Sequence, residues 1–146
     1  MVHFYLPPGQ WLGEGKLQFH ASKEVFHFFT RWEVSSVTEG GIILATQEVQ
    51  MKDAPAEKMV NRFQFLETGV DCFKVILENE QIGLAQGVGY LKENLIGWEF
   101  RGDPEFEGFE TYRRQSDQEY LFHAEYFSSE QFRSIINGRI WQKIIS

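Results

Sequence analysis

The sequence has little sulfur chemistry and little positive charge. Its 146 residues include one cysteine, Cys72, so no disulfide can form within the chain, and we expect a reducing, cytoplasmic environment. The 14 Lys and Arg residues are outnumbered by 21 Asp and Glu residues, which gives a formal net charge of −7. We therefore expect this chain to bind neither nucleic acid nor an anionic membrane surface.

Long hydrophobic runs are also absent. No stretch approaches the roughly 20 apolar residues that a membrane helix requires. The first eight residues, MVHFYLPP, show neither the basic segment nor the apolar core of a signal peptide, which again predicts a cytoplasmic protein. There is no linker, low-complexity tract or fixed-period repeat, so residues 1–146 are predicted to form a single domain, long enough to bury a core.

The familiar catalytic motifs are missing as well. The chain has no G-x-S-x-G nucleophile motif, no H-E-x-x-H zinc motif and no phosphate-binding G-x-x-x-x-G-K. The glycines at Gly83, Gly87 and Gly89 fall inside a predicted strand with no helix after it, so they do not form a dinucleotide fingerprint. Cys72 is predicted to pack as a small buried hydrophobe in a strand.

What the chain does have is an abundance of aromatic residues in short alternating segments. It contains 14 Phe, 5 Tyr and 4 Trp, which favour strands and apolar pockets. Turn residues separate the segments, as in an antiparallel meander, and no long amphipathic helix appears. Short helical turns are expected only at 53–56 and 128–132. The predicted strands are Leu12–His20, Val25–Val37, Ile42–Lys52, Val60–Glu67, Asp71–Glu78, Ile82–Leu91, Leu95–Arg101, Phe106–Arg114, Glu119–Phe127 and Ile135–Ile144.

Joining consecutive strands as hairpins predicts which side chains share a face of the sheet. The loops are placed at 21–24, 93–94, 102–105 and 115–118. The resulting pairs are Phe19 with Phe26, Gly89 with Trp98, Trp98 with Phe109, and Thr111 with Phe122. One face then collects Leu17, Phe19, Phe26, Phe28, Trp32, Trp98, Phe100, Phe109, Phe122 and Tyr126. The opposite face collects Gln18, His27, Glu99, Arg101, Glu110, Tyr112, His123 and Glu125.

A sheet of nearly ten such strands is predicted to curl and close, because closure removes its exposed edges. The fold class is therefore all-β, an up-and-down antiparallel β-barrel of about eight to ten strands, with the aromatic face toward the lumen. Gly83, Ala85, Gly87 and Gly89 alternate along one strand. They either leave room in the lumen or permit the strand to bend against neighbouring rings.

The stretch around the first Trp carries a family resemblance. Gly9-Gln10-Trp11 is similar to the Gly-x-Trp of the first lipocalin strand. Residues 11–15, WLGEG, resemble the W-x-G-x-G opening of the nitrobindin-like and other small intracellular calycin barrels. The resemblance implies a lipocalin-like barrel that holds one small apolar ligand. It also implies barrel closure by Trp11 with Arg139 packed over it.

The sequence departs from these families in ways that bear on cofactors. Nitrobindin-like proteins hold haem through a His near the C-terminal end, whereas the last His here is His123, placed off the lumen face. We therefore expect no cofactor, and haem, which the resemblance leaves possible, is disfavoured by the position of His123. Residues 21–24 are also too few for the helix pair that follows the first strand of fatty-acid-binding proteins.

Three functions remain open from the residues. The first is a cytoplasmic protein that binds a small apolar or amphipathic ligand in the lumen, lined by Phe28, Trp32, Trp98, Phe100, Phe109, Phe122 and Tyr126. The second is an enzyme on the same barrel, a lyase, isomerase or hydrolase. It would use Glu110 opposite His123, a pair that otherwise reads as a solvated surface pair. The third is a protein-interaction module with a filled barrel, and pairing of the chain with a second copy as a homodimer also stays open.

Overall fold

The sequence builds a closed ring of ten strands in the part of the chain that the computed structural model describes, residues 6–38, 40–103, 106–127 and 133–143. All ten predicted strands are confirmed, and these described residues contain no helix. The strands are β1 Gly9–Phe19, β2 Val25–Val34, β3 Ile42–Met51, β4 Ala54–Glu67, β5 Cys72–Asn79, β6 Gly83–Lys92, β7 Leu95–Asp103, β8 Phe106–Ser116, β9 Glu119–Phe127 and β10 Arg133–Gln142.

Each strand pairs antiparallel with its neighbours in the chain, and β1 pairs with β10 to close the barrel. The predicted up-and-down barrel is thus confirmed. The helical turn predicted at 53–56 is wrong, because β3 and β4 join through a two-residue turn that pairs Met51 with Ala54. The turn predicted at 128–132 lies outside the described residues.

The facing predicted for residues of β1, β2, β6, β7 and β9 is correct, whereas the facing predicted for β8 is wrong. Gly89 does pair with Trp98, as predicted. Phe26 pairs with Leu17 rather than Phe19, a shift of two residues that keeps both side chains inward. Trp98, however, pairs with Glu110 rather than Phe109, because an irregularity between Phe100 and Asp103 moves β8 by one residue.

This one-residue shift exchanges the inward and outward faces of β8 relative to the prediction. Gly108, Glu110 and Tyr112 face the lumen and are buried, whereas Phe109 faces outward. The prediction that Phe109 lines the lumen, and the prediction that Glu110 and Tyr112 face solvent, are therefore wrong. β9 keeps its predicted facing, since Thr111 pairs with His123 and Tyr112 pairs with Phe122.

Aromatic rings from opposite walls meet in the middle of the barrel. Trp32 of β2 stacks on Phe63 of β4 at 5.3 Å between ring centroids, and Trp98 of β7 stacks on Tyr112 of β8 at 5.1 Å. The two pairs touch, with 5.7 Å between Phe63 and Trp98. We call Trp32, Phe63, Trp98 and Tyr112 the ring layer. It packs the middle of the lumen with side chains.

The end of the barrel where β1 begins is closed by the chain itself. Trp11 is fully buried there, and its Nε1 donates to the carbonyl of Pro7 at 2.9 Å. Leu6 is 2% exposed and joins the same core. The prediction that Trp11 lies at a closed end is therefore consistent with its position. We call this the closed end.

The opposite end is more accessible. Its inward-facing side chains are only partly buried, although they pack against the core; they include Leu17, Val49, Met51, Ala85, Tyr126 and Ile136. Inward-facing residues toward the closed end, such as Val34, Phe65 and Ile140, are almost completely buried. The burial of inward-facing side chains therefore decreases from the closed end toward the opposite end, which we call the open end.

Several aromatic rings lie flat against glycines of the barrel wall. A Cβ added at Gly89 would overlap the Phe73 ring, and one added at Gly138 would come within 2.6 Å of Cζ of Phe122. Gly15, which pairs with Gly138, meets the Phe28 ring in the same way. Of the two interpretations of the β6 glycines, the structure favours close packing of rings at Gly89 over empty space.

Candidate ligand site in the barrel lumen

A buried carboxylate stands at the boundary between the ring layer and the open end. Glu110 of β8 is 8% exposed. Its Oε1 accepts a hydrogen bond from the Tyr112 hydroxyl at 2.9 Å, and its Oε2 accepts one from Trp98 Nε1 at 3.3 Å. Oε2 also accepts a hydrogen bond from the hydroxyl of Tyr126, on β9. The neighbouring strand contributes Ala124 opposite Glu110, so the carboxylate is not crowded from that side.

Burial shifts the titration of this group. Removal from water raises the pKa of Glu110 above its usual 4.5, and the hydrogen bonds from Tyr126, Tyr112 and Trp98 only partly oppose that rise. The pKa of Tyr126 is raised well above 10.0 by burial and by the neighbouring Glu110 charge. Glu110 therefore holds a proton at a pH where an exposed glutamate has lost it.

This raised pKa predicts a pH-dependent stability. The unfolded chain loses the Glu110 proton near pH 4.5, while the folded chain keeps it, so the free energy of unfolding falls as pH rises from 4.5 to the folded pKa. Glu110→Gln, which cannot ionise, is expected to flatten this part of the profile. Urea unfolding of both proteins across pH 4–9 measures it. Parallel profiles for wild type and Glu110→Gln would contradict a raised pKa.

A chain of amide side chains crosses the lumen wall formed by β2 to β5. Asn79 Nδ2 donates to Asn61 Oδ1 at 2.9 Å, and Asn61 Nδ2 donates to Gln47 Oε1 at 2.9 Å. Gln47 Nε2 continues the chain to the Thr30 hydroxyl at 3.3 Å. We call these four residues the amide chain. It places polar groups on the wall away from Glu110, which belongs to β8.

The ring layer also contains one orphaned donor. Trp32 is fully buried, and its Nε1 has no hydrogen-bond acceptor among the described residues. A buried donor without an acceptor costs about 1–3 kcal/mol. An acceptor atom supplied from outside the protein chain would recover that cost.

Most of the predicted lumen residues face inward. Phe28, Trp32, Trp98, Phe100 and Phe122 are buried on the inner wall, and Tyr126 is partly buried near the open end. Phe109 is the exception, with its ring 5.9 Å from that of His123 on the outer wall. Tyr112, Gln47, Asn61 and Asn79 are lumen residues that the sequence analysis missed. The sequence does carry a signal for them, because each alternates in step with the inward-facing apolar residues of its own strand.

The proposed Glu110–His123 pair does not exist. Glu110 pairs across the strands with Ala124 and points inward, whereas His123 pairs with Thr111 and points outward. The one-residue shift of β8 separates them by the thickness of the sheet. His123 cannot act as a base or as an orienting group for Glu110 from that position.

His123 instead belongs to a hydrogen-bonded cluster on the outer wall. Its Nδ1 lies 2.6 Å from Asn137 Oδ1, and its Nε2 lies 2.8 Å from Glu125 Oε2. Arg133 Nε donates to the other oxygen of Glu125 at 2.9 Å. Partial burial alone lowers the pKa of His123, but the bonds to Asn137 and Glu125 outweigh it, and the pKa is raised above 6.5. The hydrogen bond from His123 lowers the pKa of Glu125.

The His123 cluster predicts a small, pH-limited contribution to stability. Because the folded pKa is raised, the contribution is complete below pH 6.5 and is lost as pH rises through the folded value. Its size is about 1 kcal/mol or less, since His123 is partly exposed. We expect NMR titration of the His123 ring to give a pKa above 6.5 that drops in Glu125→Gln. An unchanged value in that variant would rule out Glu125 as the cause.

The expected contact of Arg139 with Trp11 is absent. Trp11 faces inward, where its ring meets that of Tyr120 edge-on at 5.6 Å. Arg139 faces outward and lies over the Trp141 ring at 4.6 Å. Successive side chains of β10 alternate between faces, so Arg139 and Trp141 share the outer wall and cannot reach Trp11. The implied cation–π closure is therefore wrong, although β1 and β10 do close the barrel.

Cys72 also differs from its prediction. It begins β5 but is exposed, and the hydroxyl of Thr68 lies 3.5 Å from its Sγ. Among the described residues no group of three or more His, Cys, Asp or Glu side chains is arranged to hold a metal ion. The same described residues contain no long apolar helix of the kind that spans a membrane.

The fold is a closed up-and-down antiparallel barrel of ten strands, which agrees with the kind of barrel that the resemblance implied. Among solved structures the chain is similar to an S-type phycobiliprotein lyase, CPES, from Guillardia theta. The TM-score is 0.73 at 9% sequence identity, and the match covers 95% of this chain and 89% of that one. No protein-family model matches the sequence. No curated protein matches it either.

Proposed function

We propose that this protein binds one small amphipathic molecule in the open half of the lumen, above the ring layer. The observation that carries the proposal is Glu110, a buried carboxyl group placed where the packed floor meets the partly exposed wall. A position that serves only to pack the core would carry an apolar side chain, because a buried carboxyl group is costly even when it is hydrogen-bonded.

The polar groups of the site lie apart from one another, with apolar surface between them. Glu110 and Tyr126 offer a carboxyl group and a phenol on β8 and β9, and the amide chain offers polar atoms on β2 to β5. Phe28, Phe122 and Ile136 supply apolar wall. This pattern suits a ligand with an extended apolar body and hydrogen-bonding groups at separate points.

The similar solved structure suggests a chemical class for the first trial. That protein is a phycobiliprotein lyase, which suggests a bilin, a linear tetrapyrrole with several N–H groups, as the probe. A linear tetrapyrrole has the amphipathic character that the open end requires. Glu110 would accept hydrogen bonds from its N–H groups. At 9% identity the similarity supports the choice of probe and no more.

Chemistry on the bound molecule is a second candidate. Glu110, whose raised pKa favours its protonated form, and the Tyr126 hydroxyl beside it are proton donors that face the lumen. A lyase or isomerase needs such a group next to the reacting atoms. Mass spectrometry of a bound ligand before and after incubation would show whether it is altered.

Binding is tested with two probes, biliverdin and the neutral apolar dye N-phenyl-1-naphthylamine. We expect both to bind, with quenching of Trp fluorescence by biliverdin and induced circular dichroism of its absorption band. Glu110→Gln is expected to weaken the binding of biliverdin by about tenfold, because it replaces one acceptor oxygen with an N–H donor, and to leave the binding of the neutral dye nearly unchanged.

Phe109→Ala is the matched control, because Phe109 neighbours Glu110 in the chain but faces outward. It is expected to leave the binding of both probes unchanged. If neither probe binds to the folded protein, or if Phe109→Ala weakens both as strongly as Phe122→Ala does, the lumen is not the binding site.

A further inference from the structure

The outer wall of the barrel carries a groove that the proposed lumen site does not use. It crosses β2, β1, β10 and β9 as an open surface groove of about 550 Å³. Phe29 and Leu121 line it and are 49% and 44% exposed, which is high for large apolar side chains. A volume of this size is within the range that accommodates a small organic ligand.

The charges around this groove are mostly positive. Lys16, Lys52 and Arg139 line it, and Glu14 is the acidic residue among the described residues that do so. Glu14 is already paired, with its Oε1 3.4 Å from Arg139 Nε. Lys16 and Lys52 have no carboxylate within ion-pair distance in the described part of the chain; its ion pairs use other cations.

This local balance is opposite to that of the whole protein. The chain carries a net charge of −7, so a groove with two unpaired lysines is a local site of positive potential on an acidic surface. Apolar side chains and unpaired cations within one groove are complementary to a molecule that has an apolar body and an anionic group.

We propose that this groove binds an amphipathic organic anion, with Lys16 and Lys52 holding its carboxylate or sulfonate and with Phe29 and Leu121 packing against its apolar part. The site differs from the lumen in the side of the wall from which its ligand binds and in the charge of that ligand, although Phe28 borders both sites. The two sites can therefore succeed or fail separately.

The probe is 8-anilinonaphthalene-1-sulfonate, whose fluorescence rises on binding. The test variant is Lys16→Glu/Lys52→Glu, and the control is Lys74→Glu/Lys92→Glu, which makes the same change of net charge on β5 and β6, across the barrel from β10 and β1. We expect the test variant to weaken binding roughly tenfold and the control to weaken it by less than about twofold. Phe29→Ser is expected to weaken it as well, without changing its salt dependence.

Amide chemical-shift mapping locates the probe. Shifts centred on Gly15, Leu121 and Gly138 support the proposal, whereas shifts centred on Glu110 and Ala124 place the anion in the lumen and overturn it. Equal affinities for the test and control variants also overturn it. Vesicles containing anionic phospholipid form a further arm: sedimentation with these vesicles, abolished by Lys16→Glu/Lys52→Glu, together with no binding of the free anion, would make the groove a membrane contact and contradict the proposal.

Discussion

Replacing Trp11 by Ala is expected to destabilise the protein by about 3–5 kcal/mol, as for other fully buried aromatic side chains. The indole is completely buried at the closed end, packs edge-on against Tyr120 and donates its N–H to Pro7. Truncation leaves a cavity and removes the bond that ties the N-terminal segment to the barrel. Urea unfolding monitored by circular dichroism measures the loss.

Two double-mutant cycles locate the origin of this effect. Trp11→Ala and Tyr120→Ala should be coupled, because their rings touch. Trp11→Ala and Arg139→Ala should be additive within about 0.5 kcal/mol, because Arg139 lies on the outer wall over Trp141. Strong coupling between Trp11 and Arg139 would show that the two residues act together in closing the barrel after all.

Gly89→Val is expected to cost about 3 kcal/mol, the upper part of the usual range for overpacking a core. Valine normally favours strands, so its intrinsic propensity opposes the loss. The ring of Phe73, however, lies where the new Cβ would stand, and Phe73 is 1% exposed with nowhere to move. Thermal and urea unfolding of the purified variant report the change.

The control for Gly89→Val lies on the same strand. Gln86→Val introduces the same β-branched side chain at an exposed outward position and should be nearly neutral. Phe73→Ala is expected to be destabilising alone, but in the Gly89→Val background it should cost less, since it removes the overlap. A Gly89→Val protein as stable as wild type would mean that the ring does not lie against the glycine.

The fold was predictable because alternation and turn residues recur along the chain. All ten strands were located, and strand number with the need to remove edges led to the closed barrel. The facing of β8 was predicted wrongly for a specific reason. Its sequence, FEGFETYRRQS, has aromatic residues at both parities, so Phe109 or Phe106 and Tyr112 could equally face inward. The irregularity after Phe100 decided between them, and loop residues do not reveal it.

The candidate site was predicted on the same strand, and its prediction was wrong for the same reason. Glu110 was singled out but assigned to the wrong face, so its predicted partner was a surface histidine instead of Tyr112, Tyr126 and Trp98. Gln47, Asn61 and Asn79 were overlooked because polar residues are expected to face outward on a half-buried sheet. They face inward because each finds an amide partner on a neighbouring strand, a contact that depends on the register between strands and cannot be read from one strand alone.

The Gly15–Gly138 pair lies in the ladder between β1 and β10, and this ladder differs from the others in how it must form. The other strand pairs join consecutive segments, so each can assemble as a hairpin with a small loop-closure entropy. Pairing Trp11 with Gln142 requires nearly the whole chain to be in place first. A barrel that has not yet made this seam is a curled sheet with two unpaired edges, the arrangement that invites pairing with another chain. The seam therefore decides whether a folding molecule closes on itself or exchanges strands with a neighbour.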